Sequence, residues 1–429
     1  MVSKPQKRVV TMRSFLLCVF LSGMFSGLYC QRNCTALEYQ EALLKATPQL
    51  SEKILIVERF IQQHIATSER TGTSSGSAAD GLTVIRIPVV VHVLYNAANE
   101  NISDDQIKSQ ITALNDDFRK LSEETNLPGK FKDLAADTYI EFSLAAIDPK
   151  GRATTGIVRK KTSIIMFGMD DRIKYSGKGG DDAWDASRYL NIWVGNTAGA
   201  IIGYASVIGG SKDKDGVVIR HDAFGTTGRV RAPYNYGRTA VHEIGHWLGL
   251  YHIWGDKFCG DDHVADTPPQ QTASRGCPSG VVLSLCEGNG EGKMYMNFMD
   301  LTDDACMNMF TYGQRDRMRA LFAEGGPRNS LLLSDALTGT PREEAPLPEV
   351  VNPGALKVFP NPVQHFFTLE LPDESAIGKS LLVYNLHGQP VMKQVISRRT
   401  AVIPAGKLIT GMYFIKVEGQ AGFVKFFKQ

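Results

Sequence analysis

The strongest chemical signal in the chain is the eleven-residue run HEIGHWLGLYH, His242 to His252. Histidines four positions apart on a helix lie one above the other on a single face, so His242 and His246 can reach one metal ion. Gly249 stands where such a helix must stop and the chain reverse, because glycine accepts positive φ without a Cβ penalty. The reversal returns His252 as a third ligand. Three neutral imidazoles leave the fourth tetrahedral position of a zinc ion to water, which is the arrangement of a catalytic zinc rather than a structural one. Glu243, beside the first ligand, is placed to take a proton from that water and pass it to a leaving amine. The chemistry implied is amide hydrolysis. A bare His-x-x-x-His is as readily a solvated or packed helix face, but the extended pattern fixes five residues over eleven positions. Trp247, Leu248 and Leu250 read as core contacts.

Two further groups of residues carry metal or redox chemistry. In CGDDHVADTP, residues 259 to 268, Asp261, Asp262, Asp266 and Thr267 concentrate hard oxygen ligands that suit calcium. The run lacks the spacing of an EF-hand, and a solvated acidic loop is the plainer reading. Cys259, Cys277, Cys286 and Cys306 cluster within one stretch, as two disulfides of an exported protein would. A structural zinc competes, yet no close C-x-x-C pair is present. Three connectivities remain open. Cys34 stands apart: a thiolate is a good zinc ligand and can plug the open position. A free thiol, a Cys30 to Cys34 bridge, or a Cys30 lost with a leader are the alternatives.

The elements that must position these residues follow from composition and periodicity. At 429 residues the chain exceeds one ordinary core. Its 47 Lys and Arg against 45 Asp and Glu leave a formal charge of +2, with no electrostatic footprint for nucleic acid. Lys4, Lys7, Arg8 and Arg13 precede the apolar stretch Phe15 to Phe25, as in a signal peptide over 1–30, cut between Gly27 and Gln31. Met12 is an alternative start. The stretch falls short of a spanning helix, so no transmembrane segment is expected after signal cleavage.

Residues 31–69 have helical periodicity in Leu37, Leu43, Leu44, Ile54, Val57 and Ile61, which suggests a helical prosegment. The Ser- and Gly-rich residues 70–82 form an exposed connector suited to processing. The unit at 83–335 reads as α/β. Strands are expected at 83–96, 139–147, 189–194, 201–207 and 217–219, with helices at 104–121 and 238–250. A Pro-rich linker, 336–356, leads to short β-rich runs over 357–429, a small all-β domain.

With these motifs in place, the chain resembles the pappalysin family of metzincin peptidases, in its mirolysin- and ulilysin-like bacterial branch. The resemblance covers about residues 83 to 332. It rests on HEIGHWLGLYH, CGDDHVADTP, GCP at 276–278, MNFMD at 296–300 and DDACMNMFTYGQRDRM at 303–318. It implies a metzincin-type fold with an active-site helix and a Met-turn, in which Met299 forms an apolar floor beneath the histidines. It also implies Cys259 paired with Cys286 and Cys277 with Cys306, and a calcium loop at 259–268. Cleavage before Arg or Lys is implied as well, with Asp300, Asp303 and Asp304 as candidates for the pocket carboxylate. Glu69-Arg70 would then suit an autolytic cut that releases Cys34 from the metal. A substrate-aligning edge strand is expected within Ala198 to Val207.

One position departs from the family. Leu301 stands where a Tyr that stabilises the tetrahedral intermediate is usual, with Tyr295 and Tyr312 as the nearby hydroxyls. Residues 357–429 resemble the C-terminal sorting domain of the Bacteroidetes type IX secretion system, an immunoglobulin-like sandwich. The matching runs are VFPNPVQHFFTLEL, LLVYNLHGQPV and GMYFIKVEGQAGFVKFFKQ. The expected protein is a secreted or cell-surface zinc endopeptidase, made as a zymogen, whose partners are protein or peptide substrates and the type IX machinery. A surface adhesin with a vestigial site, or a zinc amidohydrolase acting on a non-protein substrate, are the rival readings.

Overall fold

The computed structural model describes residues 33–70, 82–122, 129–288, 290–339, 356–385, 389–419 and 423–429. The expected signal peptide, and most of the expected connector and linker, lie outside the described residues. The chain divides into two compact units, residues 1–340 and 341–429.

The first unit begins with strand β1 (Asn33–Cys34) and helices α1 (Ala36–Ala46) and α2 (Leu50–Arg70). The helical periodicity expected here is thus interrupted at Thr47–Gln49, where Pro48 cannot continue a helix. There follow β2 (Ile85–Tyr95), α3 (Asp104–Phe118), the short α4 (Gly129–Lys132), β3 (Ile140–Leu144) and β4 (Ile157–Lys161). Strands β5 (Leu190–Gly195), β6 (Ile201–Ala205) and β7 (Gly216–Arg220) and helices α5 (Arg238–Trp247) and α6 (Tyr312–Ala320) complete the unit.

Seven strands form one twisted sheet in the order β1-β6-β7-β5-β2-β3, with β4 pairing on the second half of β2. Strand β2 is central and buried along nearly all its length, which is why IRIPVVVHVLY is an almost unbroken apolar run. All pairings are parallel except β6 with β7. Ser103 caps α3 by accepting from the Gln106 amide, and Ile107, Leu114 and Phe118 seal that helix to the sheet. One hydrophobic core joins the sheet with α3, α5 and α6.

Strand β4 and helix α6 lack an apolar periodicity, and the one local signal in α6 is the capping box of Thr311 and Gln314 at its start. Strand β4 is IVRKK, and α6 is YGQRDRMRA with Arg315 and Arg317 both buried. Tertiary partners, not periodicity, make these elements.

The second unit stacks two antiparallel sheets. One has the order β11-β10-β13-β14 and the other β12-β9-β8. The strands are β8 (Lys357–Phe359), β9 (Phe366–Glu370), β10 (Ser380–Tyr384), β11 (Pro390–Val395), β12 (Thr400–Pro404), β13 (Gly411–Val417) and β14 (Val424–Lys428). Alternating side chains such as Phe367, Leu369, Leu381, Val383, Ile403, Ile415 and Phe426 form its own core. Among the described residues no helix is long and apolar enough to cross a membrane.

Candidate active site

Helix α5 carries His242, Glu243 and His246 and ends in a Schellman motif. The Leu250 amide reaches back to the Gly245 carbonyl and the Gly249 amide to that of His246, with Gly249 at φ 82°. This reversal returns His252 beside the two helical histidines. Nε2 of His246 lies 3.1 Å from Nε2 of His242 and 3.2 Å from that of His252. A tetrahedron of nitrogen ligands about 2.0 Å from zinc would have edges of about 3.3 Å.

The other ring nitrogens settle the tautomers. Nδ1 of His242 is 2.6 Å from the Phe298 carbonyl, and Nδ1 of His246 is 2.9 Å from that of Leu250. Carbonyls only accept, so each Nδ1 donates and each Nε2 presents a lone pair. Nδ1 of His252 meets the Asp256 carboxylate, and the Trp254 indole stacks on its ring at 4.2 Å. Three lone pairs that face one another in a buried space fit a cation. Burial and, next, the neighbouring His252 push His246 down to about 3, so it stays in the neutral, ligating form. Burial opposes ionisation of Asp256, but its hydrogen bond to His252 prevails and holds the carboxyl below its ordinary range.

Cys34 completes the cluster from the prosegment. Its Sγ is 3.5 Å from Nε2 of His246 and 3.9 Å from Oε2 of Glu243. The ligand atoms of Cys34, His242, His246 and His252 lie within 4.8 Å of one another, a donor set that suits zinc. Burial and then the Glu243 charge push the Cys34 thiol well up, so only a facing cation makes it a thiolate. Strand β1 runs parallel to β6, with Cys34 opposite Gly203. Strand β1, in the segment expected to be a prosegment, thus occupies the edge expected for substrate.

Two glycines make the close approaches possible. A Cβ on Gly245 would stand 2.5 Å from Sδ of Met299, and one on Gly203 would stand 2.8 Å from Cγ of Glu243. Met299 lies fully buried beneath the helix, on a turn stabilised by the Asn297 side chain accepting from the Met299 amide. Neither glycine, nor Asp256, is singled out by the sequence motifs.

The candidate pocket carboxylates separate. Asp300 is buried and saturated by the Ser274 and Leu301 amides and the Gln270 side chain, so it braces the loop and does not face a substrate. Asp304 is buried and receives the Tyr236 and Arg238 amides ahead of α5, and Asp303 is partly exposed. The hydroxyl of Tyr295 is engaged by the Gly280 carbonyl, and Leu301 is buried.

The acidic loop does not converge on one point. Asp266 binds the Thr311 hydroxyl and the Gly313 amide, Asp262 binds Thr267 and the Val264 amide, and Asp261 is exposed. Burial pushes Asp262 up to about 7. Disulfides join Cys259 to Cys286 and Cys277 to Cys306.

The family described as pregnancy-associated plasma protein-A matches residues 175–323, and the secretion system C-terminal sorting domain matches residues 357–428. Extracellular metalloprotease 1 of Coccidioides posadasii is 31% identical over 260 residues, 58% of this chain and 81% of the relative. Tannerella forsythia mature mirolysin in complex with a cleaved peptide is 48% identical, with a TM-score of 0.58 over 59% of this chain and 97% of that one. A promirolysin mutant of the same organism is 42% identical, with a TM-score of 0.62 over 70% of this chain and 96% of that one. The chain therefore belongs to the pregnancy-associated plasma protein-A, or pappalysin, family: it is a secreted zinc metalloendopeptidase of zymogen-like organisation that ends in a type IX sorting domain.

Proposed function

We propose that the chain is the latent precursor of an endopeptidase that cuts proteins before Arg or Lys, with zinc held by His242, His246 and His252. The carrying observation is the convergence of three Nε2 lone pairs beside a buried Glu243. When bound, zinc supplies Lewis-acid polarisation of the scissile carbonyl and makes water a competent nucleophile near neutral pH. Glu243 takes the proton of the attacking water and delivers it to the leaving nitrogen. Strand β6 aligns the substrate backbone once β1 is gone. Met299, against Gly245, keeps the helix and its two histidines rigid from below.

Cys34 is the latency ligand, and it leaves when the bond between Glu69 and Arg70 is cut. The preference for a basic side chain rests on the acidic loop that follows Met299, where Asp303 is the half-exposed carboxylate. Bacteroidetes-type outer-membrane export, with the mature protein released or held at the cell surface, follows from the sorting domain.

Digesting a denatured proteome and sequencing the new N-termini tests the assignment. Arg or Lys is expected first in most products. Glu243→Gln should reduce cleavage by at least about a hundredfold, since general acid–base catalysis alone supplies that much. A flat residue distribution removes the basic pocket, and undiminished cleavage by Glu243→Gln removes the mechanism.

Calcium at residues 259–268 would rest on Asp261, Asp262 and Thr267, which line one cavity, while Asp266 is bound away to Thr311 and Gly313. Millimolar calcium should then raise the melting temperature where magnesium does not, and equal melting with both ions rules it out.

A further inference from the structure

The prosegment inserts a second side chain into the unit that remains after its removal. Tyr39, on α1, is 1% exposed, and its hydroxyl donates to the Asp171 carboxylate, 2.7 and 2.9 Å from the two oxygens. Asp171 is held from the other side by Lys174, whose Nζ is 3.0 Å away and whose side chain is wholly buried, and by Lys214 at 3.1 Å. The walls are aromatic: Tyr204 lies 4.8 Å from the Tyr39 ring, and Trp193, Phe167 and Ile173 belong to the same cluster. The Lys174 ammonium sits 5.1 to 5.5 Å from the centroids of Tyr39, Tyr204 and Trp193. The hydroxyl of Tyr204 is buried in this region without a hydrogen-bond partner.

Asp171, Lys174, Trp193, Tyr204 and Lys214 all lie beyond residue 83, and only Tyr39 and Leu43 of this seat belong to the segment that would leave. Its position makes it useful. Gly203, opposite Cys34, faces Glu243, so the next residue Tyr204 turns to the other face of the sheet, and the slot lies on that face beside the same edge strand. A peptide paired on that edge can reach it. A phenol fits better than a phenyl ring, because the carboxylate at the base would otherwise lose a donor it is buried to accept.

We propose that the seat of Tyr39 is a substrate subsite of the mature enzyme, selecting a tyrosine side chain through Asp171, with Tyr204 and Trp193 as its walls. The inference rests on the peptidase reading and on departure of the prosegment. Tyr39 then acts as a built-in substrate mimic that fills the subsite while Cys34 blocks the metal cluster.

The test uses the mature enzyme, freed of residues up to Glu69, and matched peptides around one cleaved bond with Tyr or Phe at each position in turn. At one position kcat/KM should favour Tyr about tenfold, the worth of a buried hydrogen bond to a charged group. Asp171→Asn should bring that ratio close to one. Equal rates with Tyr and Phe at every position, while the peptides are still cut, overturn the subsite and leave the peptidase reading intact. Failure to cut any peptide overturns both. If Asp171→Asn does not fold, a synthetic peptide of residues 36–46 is the second probe. With Tyr at position 39 it should compete with substrate about tenfold better than with Phe, and equal competition overturns the proposal.

Discussion

A histidine presents its lone pair to a metal only if its other nitrogen is occupied, and the chain meets this need with three different acceptors. The carbonyls of Phe298 and Leu250 serve two of the rings, and the Asp256 carboxylate serves the third. Asp256 is the charged member of the three acceptors. Asp256→Ala should weaken zinc binding about 10- to 100-fold, read by competition with a chelator. Unchanged affinity would mean that stacking by Trp254 is sufficient to orient the ring. Nothing in the sequence marks this aspartate among its neighbours. Carboxylates that do look functional in sequence turn out to be occupied by backbone amides, Asp300 most completely. A motif names residue types, whereas the donors that surround a carboxylate come from distant segments.

Helix α2 is held on the rest of its unit by an ion pair as well as by apolar contacts. Glu58 binds the guanidinium of the wholly buried Arg317 side chain with both oxygens, and the Tyr251 hydroxyl also approaches. Burial raises the Glu58 carboxyl, but Arg317 outweighs it, so the group titrates below its ordinary value of 4.5. A depressed carboxyl adds docking strength that is whole above 4.5 and is lost as the pH falls through its lower, docked-state value. Hydrogen exchange in α2 of the inactive Glu243→Gln zymogen should therefore speed up below that pH. Glu58→Gln should abolish the pH dependence and leave α2 exchanging faster at neutral pH. Exchange that ignores both changes would show that apolar packing of Ile61 and Val57 holds the helix alone. The helical character of residues 36–66 is legible from periodicity. Where the helices dock is not, since a two-residue strand and a single Glu–Arg pair leave no pattern in the sequence.

At the scale of the molecule, the two units have separate hydrophobic cores, one around the mixed sheet and one between the two small antiparallel sheets. Deleting residues 357–429 should leave peptide cleavage by the mature enzyme within about twofold, because no core residue of the first unit is removed. The same deletion should stop export from the producing cell, measured by the protein remaining with the cells. Loss of cleavage in the truncated protein would show that the second unit supports the first.

The zinc-binding helix, its glycine stop, most strands of the first unit and the β character of the tail are legible from local sequence. These depend on neighbours within a few residues and on periods of two or 3.6. Only the tertiary structure decided that Asp256 orients His252 and that Gly203 and Gly245 clear space for Glu243 and Met299. It also decided that Cys34 meets the histidines, Glu58 meets Arg317 and Tyr39 meets Asp171. Those relations join residues up to 259 positions apart, and distances of that kind are set by packing rather than by any local pattern.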